Sequence, residues 1–93
     1  MSYPVIEHIS SGEKNHVILF ATNMFMEWYA FEYKNGILEG YVQNNIDPIC
    51  SEFGSFTIAE IRMCCSDKMI CGNPKNLSKH RPLPPTGFRW VEE

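Results

Sequence analysis

The residues of this chain with chemistry to offer are a close pair of carboxylates, four cysteines, three histidines and a basic, proline-rich stretch near the C-terminus. The carboxylates lie in MEWYAFEYKNGILEGYV, residues 26–42, which reads as two strands joined by Asn35-Gly36. That dipeptide suits a type I′ turn, because both central residues then need positive φ. An uninterrupted ladder from a two-residue turn pairs Glu32 with Glu39, Ala30 with Tyr41 and Trp28 with Gln43 on one face. It pairs Tyr33 with Leu38, Phe31 with Gly40 and Tyr29 with Val42 on the other, and this second, apolar face is expected to meet the core. Like charges directly opposite each other destabilise a sheet by ~0.2–1 kcal/mol. The pair is therefore expected where solvent screens it or where a basic group uses it. The docking reading takes Trp28, Glu32, Glu39 and Tyr41 as the partner-binding residues: the aromatics supply contact area and the carboxylates steer a basic surface. Against it stand a merely solvated face and a face covered by the chain's own basic tail. A catalytic dyad needs an environment that splits two carboxyl pKa values, which a flat sheet does not make, so no catalytic residue is assigned.

Structural zinc prefers thiolates in close C-x₂-C pairs. Here Cys64 and Cys65 are adjacent and Cys71 follows, with five residues between it and Cys65. That spacing argues against a metal centre, for which Cys50, Cys65, Cys71 and His80 are the weak candidates. Thiols packed as small hydrophobes are the simpler reading. No metal or cofactor is expected. His8 and His16 are expected near each other if a first hairpin forms, and Cys64 with His80 is the one nucleophile–base pairing to weigh. "RPLPP", residues 81–85, has part of the character of a polyproline ligand, but a stiff segment laid along the sheet accounts for it as well. "NPKNLSKHR" has cations without interleaved aromatics, which argues against nucleic acid.

These residues must be positioned by a small domain. The chain has 93 residues, 44% hydrophobic and 20% charged, with a net charge of −3. This is ordinary globular composition, and its sign argues against a general DNA binder. The charge is uneven: residues 1–72 hold four Lys/Arg against nine Asp/Glu, a balance of −5, and residues 73–93 hold four against two, a balance of +2. No apolar run reaches 18 residues and no signal peptide is legible, so a cytoplasmic location and no membrane contact are expected. Residues 3–9 suit a strand, "SSGEKN" a turn, and "HVILFAT", 16–22, one buried strand. After the hairpin, residues 43–50 read as a loop and 52–56 as a strand. "TIAE", 57–60, has the form of a capping box in which Thr57 caps and Glu60 reaches back, opening a helix from 58 to about 66. Four prolines and Gly87 make the remainder an extended segment anchored by Leu77, Phe88 and Trp90.

The run that begins at Val17, roughly residues 17–62, resembles a family of small proteins of unknown function carried by phages, plasmids and other bacterial mobile elements. The matching residues are Leu19-Phe20, then Trp28, Tyr29 and Glu32, then Gly40 and Val42, then Glu52, Gly54, Phe56, Glu60 and Ile61. Glu39 stands where the family has Phe, and the cysteine-bearing segment and the proline tail lie outside the pattern. The resemblance implies a mobile-element setting among genes that counter host defences, and carries no activity with it.

The reading is an α+β domain over residues 1–72 with an extended Pro-rich segment, 73–93, packed on or near it. Its sheet is mostly antiparallel, a meander of four or five strands, with one short helix. Its expected function is non-enzymatic: a phage or mobile-element protein that binds a host or defence-system protein, as an inhibitor of bacterial immunity. The alternatives are a small metal-binding or cysteine-dependent enzyme, and an accessory protein that contacts nucleic acid through the basic tail. A homodimer through an exposed edge strand is a further option.

Overall fold

The computed structural model describes residues 3–23, 25–64, 69–71 and 83–91. Among the described residues eight strands and one α-helix follow in chain order: β1 (Val5–His8), β2 (Lys14–His16), β3 (Leu19–Thr22), β4 (Met26–Lys34), β5 (Ile37–Asn44), β6 (Glu52–Thr57), α1 (Ile58–Cys64), β7 (Met69–Cys71) and β8 (Phe88–Val91). They form two antiparallel sheets rather than the one expected. The larger has the order β6-β5-β4-β3-β7 and the smaller β2-β1-β8. The meander from β3 to β6 is as expected. The run at 16–22 is not one strand: β2 ends at His16, β3 begins at Leu19, and Val17-Ile18 carries the chain from one sheet to the other. The C-terminal stretch, expected as an extended segment packed on or near the domain, contributes a strand, β8, paired with β1 over Val5↔Val91 to His8↔Phe88.

The turn between β4 and β5 is the expected one, with Asn35 at φ 53° and Gly36 at φ 80°. It pairs Lys34 with Ile37, Tyr33 with Leu38 and Glu32 with Glu39. Between Ala30 and Glu32 the register slips, and Phe31 is the extra residue of a β-bulge. Beyond it Ala30 faces Gly40, Tyr29 faces Tyr41 and Trp28 faces Val42. Because side chains alternate along a strand, one inserted residue exchanges the two faces of everything beyond it. Trp28 and Ala30 therefore join the face of Leu38, and Tyr29 joins the face of Glu39.

Both faces are covered. On one, Leu19, Ala21, Trp28, Ala30, Leu38 and Phe56 pack with Ile61 of the helix, and Ile58 flanks them. The helix starts with the expected capping box: Glu60 N–H donates to Thr57 Oγ1 at 3.1 Å and Thr57 N–H to Glu60 Oε2 at 3.4 Å. At its far end Asn23 Nδ2 donates to the Cys64 carbonyl at 3.2 Å. On the other face, Phe20 and Tyr29 meet Ile6, Val17 and Phe88, with Tyr3, Phe31, Tyr41 and Trp90 around them. Of the expected tail anchors, Phe88 is buried and Trp90 packs on this second cluster, and Leu77 lies outside the described residues. Among the described residues no helix is long and apolar enough to cross a membrane.

Candidate functional site: an acidic cleft at a sheet edge

The smaller sheet covers only part of the Tyr29 face. Where that cover ends, a cleft of about 370 Å³ opens, lined by Glu13, Asn15, Phe31, Glu32, Glu39, Gly40, Phe53, Gly54 and Ser55. Its floor is built on a cross-strand row in which Glu32 faces Glu39 and Glu39 faces Ser55. Next along the same face, under the smaller sheet, Tyr29 faces Tyr41, and Tyr41 faces Phe53 at the edge of the cleft. Its wall is Glu13 and Asn15, brought in by the turn and second strand of the β1–β2 hairpin. Glu13, Glu32 and Glu39 are all exposed. Among the described residues the one ion pair joins Arg89 to Glu7, so none there neutralises these three carboxylates.

The aromatic side of the cleft is rigidly packed. Tyr41 lies 4.9 Å from Phe53 and 4.6 Å from Phe88, ring centre to ring centre. His8 stands edge-on to Phe53 at 5.8 Å and tilted against Phe88 at 4.9 Å, and shares a hydrogen bond of 2.8 Å with Ser11 Oγ. Phe53 is nevertheless 49% exposed. Edge-to-face contacts fix the rings, and the exposed part of Phe53 offers a π-face next to negative charge. That combination suits a cation: carboxylates attract it and an aromatic face adds about 0.5–1 kcal/mol at an exposed site.

Of the residues expected at the docking face, Glu32, Glu39 and Tyr41 come together. Trp28 does not. It is 7% exposed and belongs to the helix-side core, because the bulge at Phe31 turns it to the opposite face. For the same reason Tyr29 and Phe31 share the acidic face; Tyr33 keeps its expected pairing with Leu38 but is exposed rather than in the core. Glu13, Phe31, Phe53 and Ser55 escaped the sequence reading. Phe53 and Ser55 follow from continuing the strand pairing from Glu39 into 52–57. Glu13 had no signal, since nothing in the sequence says which sheet the first hairpin overhangs.

Away from the cleft, burial shifts the acidities of Glu27 and Tyr29. Burial raises the Glu27 carboxyl above its ordinary value, and a hydrogen bond with Asn45 partly offsets this. Glu27 sits opposite Gln43, whose buried Oε1 has no partner among the described residues. Burial, and secondarily the charge of Glu27, pushes the Tyr29 phenol far above the ordinary tyrosine value. Tyr29 is fully buried and its hydroxyl donates to the Leu83 carbonyl at 3.1 Å.

Two of the cysteine–histidine candidates for a metal, Cys50 and Cys71, lie in described elements. Cys50 closes a short 3-10 turn, Pro48–Cys50, just before β6, while Cys71 ends β7. These strands are the opposite edges of the larger sheet. Four strand spacings of about 4.8 Å separate them, so Cys50 and Cys71 cannot share one ion. Cys65 and His80 lie outside the described residues, and with His80 the pairing of Cys64 with it. Among the described residues no group of three His, Cys, Asp or Glu is placed to hold a metal ion. His8 and His16 stay apart: His16 faces Val5 at one end of the hairpin and His8 stands at the turn end, its N–H donating to the Glu13 carbonyl. Comparison with family models, with curated proteins and with solved structures finds no match to this chain.

Proposed function

We propose that this chain is a non-enzymatic binding protein that docks a basic surface of a partner protein in the cleft of Glu13, Glu32 and Glu39. The partner class we propose is a host or defence-system protein of the bacterium, with the chain acting as an inhibitor of immunity, as the resemblance to mobile-element proteins implies. One observation carries the docking reading: two sheets contribute exposed carboxylates, without an ion-pair partner among the described residues, to one cleft with an exposed aromatic wall. A fold that places like charges side by side loses stability there, and a cationic partner turns that cost into affinity and a faster encounter. Phe53, backed by Tyr41, supplies the apolar contact that charge alone does not.

The test is a pull-down from bacterial lysate with tagged wild type and with Glu32→Lys/Glu39→Lys, alongside circular dichroism of both. Both positions are exposed strand residues, so the double variant should keep its fold and lose the partner. Retention of the same partner by a folded double variant would sink the reading. Binding should also weaken with added salt, because exposed charges are screened over about 8 Å at physiological ionic strength.

A further inference from the structure

The backbone of β6 adds a second feature beside the cleft. The two-residue turn makes Lys34↔Ile37 a hydrogen-bonded pair, and from there the direction of the β5 backbone groups alternates. Ile37, Glu39 and Tyr41 address β4. Leu38, Gly40 and Val42 address β6, where they pair with Phe56, Gly54 and Glu52. Two bonds beyond the ladder agree with this alternation: Asn45 N–H donates to the Phe25 carbonyl at 2.8 Å, and Asn44 N–H, on the other side, to Ser51 Oγ at 2.9 Å. On β6, then, Phe53, Ser55 and Thr57 turn their backbone groups away from β5. The Thr57 N–H is taken by Glu60. The N–H and C=O of Phe53 and of Ser55 face outward along the edge of the sheet.

β6 is the long edge of the larger sheet, six residues against the three of β7. It lacks the usual protection of an edge, having no proline, no lysine and no bulge. Glu52 through Ser55 are all exposed. The same strand forms one rim of the acidic cleft through Phe53, Gly54 and Ser55.

We propose that the partner contributes an extended basic segment that adds to β6 as a further strand, with Lys or Arg side chains turned onto the Glu32–Glu39 row. This rests on the docking reading above and specifies its mode. A partner residue opposite Ser55 continues the row Glu32–Glu39–Ser55 on the cleft face. It stands two strand spacings, about 10 Å, from Glu39, a gap that a long cationic side chain and the Glu39 carboxylate close between them. The next cleft-facing residue lies beside Phe53. Backbone bonds supply affinity and alternate side chains supply selectivity, as in other strand-addition complexes. Charge decides against a second copy of this chain: its own β6, EFGSFT, brings Glu52 and no cation to the edge.

The test uses calorimetric titration of the full chain with two capped eight-residue peptides that alternate lysine and threonine. One is unmodified, and the other is N-methylated on its lysine backbone nitrogens, the ones that would face Phe53 and Ser55. The wild type should bind the unmodified peptide and lose about tenfold or more with the methylated one, the loss expected for two unmade backbone bonds. Ser55→Pro, which removes an outward N–H and leaves the β5 bonds intact, should lose as much, and Glu32→Lys/Glu39→Lys likewise. Equal binding of both peptides by the wild type would overturn strand addition and leave the acidic docking face standing. This comparison needs no variant to fold. Binding of neither peptide would overturn strand addition too, and the pull-down with the double variant then decides the docking reading separately. A wild-type dimer in sedimentation that Ser55→Pro abolishes would overturn it in favour of a second copy at the edge.

Discussion

Gly40→Ala is the sharpest probe of the bulge that sorts the two faces. A Cβ at Gly40 would stand 1.8 Å from the Tyr29 carbonyl oxygen, 2.8 Å from its carbon and 2.9 Å from Ala30 Cα. These are backbone atoms, so no side chain can swing aside. The oxygen would have to retreat by at least about 1 Å to reach the shortest tolerable contact. The strand alternation directs that carbonyl at Tyr41 N–H, and a shift of that size unmakes the bond. Leaving a buried donor or acceptor unsatisfied costs ~1–3 kcal/mol, and forcing an extra carbon into a packed site costs ~1–3 kcal/mol. The reduced freedom of the unfolded chain returns ~0.4–1 kcal/mol. The balance is a loss of about 3 kcal/mol, or roughly 10–20 °C in Tm for a domain of this size. Urea unfolding followed by tryptophan fluorescence measures it, since Trp28 is buried beside Ala30. The control is Gly54, which faces Gly40 across β5–β6 and has nothing within 4 Å of an added Cβ. Gly54→Ala should stay within ~0.5 kcal/mol of the wild type. If Gly40→Ala were equally harmless, the close approach of β5 to Tyr29 would be wrong, and with it the placing of Tyr29, rather than Trp28, on the face of Glu32.

Two further outcomes follow from the shifted acidities. The Tyr29 phenol is held neutral by burial and by Glu27, so above pH ~10 the unfolded chain releases a proton that the folded chain keeps; stability is fully present below that pH and falls as pH rises beyond it, by about 1.4 kcal/mol per pH unit. Tyr29→Phe should lose ~0.5–1.5 kcal/mol at neutral pH with the bond to Leu83, and should flatten the alkaline decline in a urea titration series; an unchanged decline would refute the assignment. Cys50 is exposed, yet a hydrogen bond to Asp47 at 3.4 Å, and then the charge of Asp47, raise its thiol above the ordinary value. Because the thiolate is the reactive form, Asp47→Asn should speed its alkylation by iodoacetamide, read by mass spectrometry of the Cys50 peptide, and equal rates would count against it.

The parts of this fold that were legible in the sequence are those decided by neighbours. Asn35-Gly36 dictates its turn through two positive φ values, Thr57 and Glu60 cap their helix three residues apart, and Glu32 meets Glu39 close to the turn. What was not legible depends on distant contacts. Alternation from 25 to 34 is as regular in the sequence as in any plain strand, and only the three-dimensional approach of Gly40 to Tyr29 marks where the bulge falls. Two faces that both need covering are also invisible one strand at a time. Trp28 and Tyr29 are each large and apolar enough for a core, and the helix takes one while the smaller sheet takes the other. The candidate site follows from that division. The smaller sheet reaches Tyr29 and Tyr41 but leaves Glu32 and Glu39 uncovered, because the β1–β2 hairpin ends its overhang in Glu13 and Asn15, which do not seal an acidic surface. A chain that kept the regular register would put Phe31 and Tyr29 on the face of Leu38 and set Trp28 beside the carboxylates on a flat sheet. The bulge instead sets the carboxylates at the mouth of a cleft, against an edge strand whose backbone is open. That position, rather than the presence of two glutamates, is what makes a docking role the reading to test.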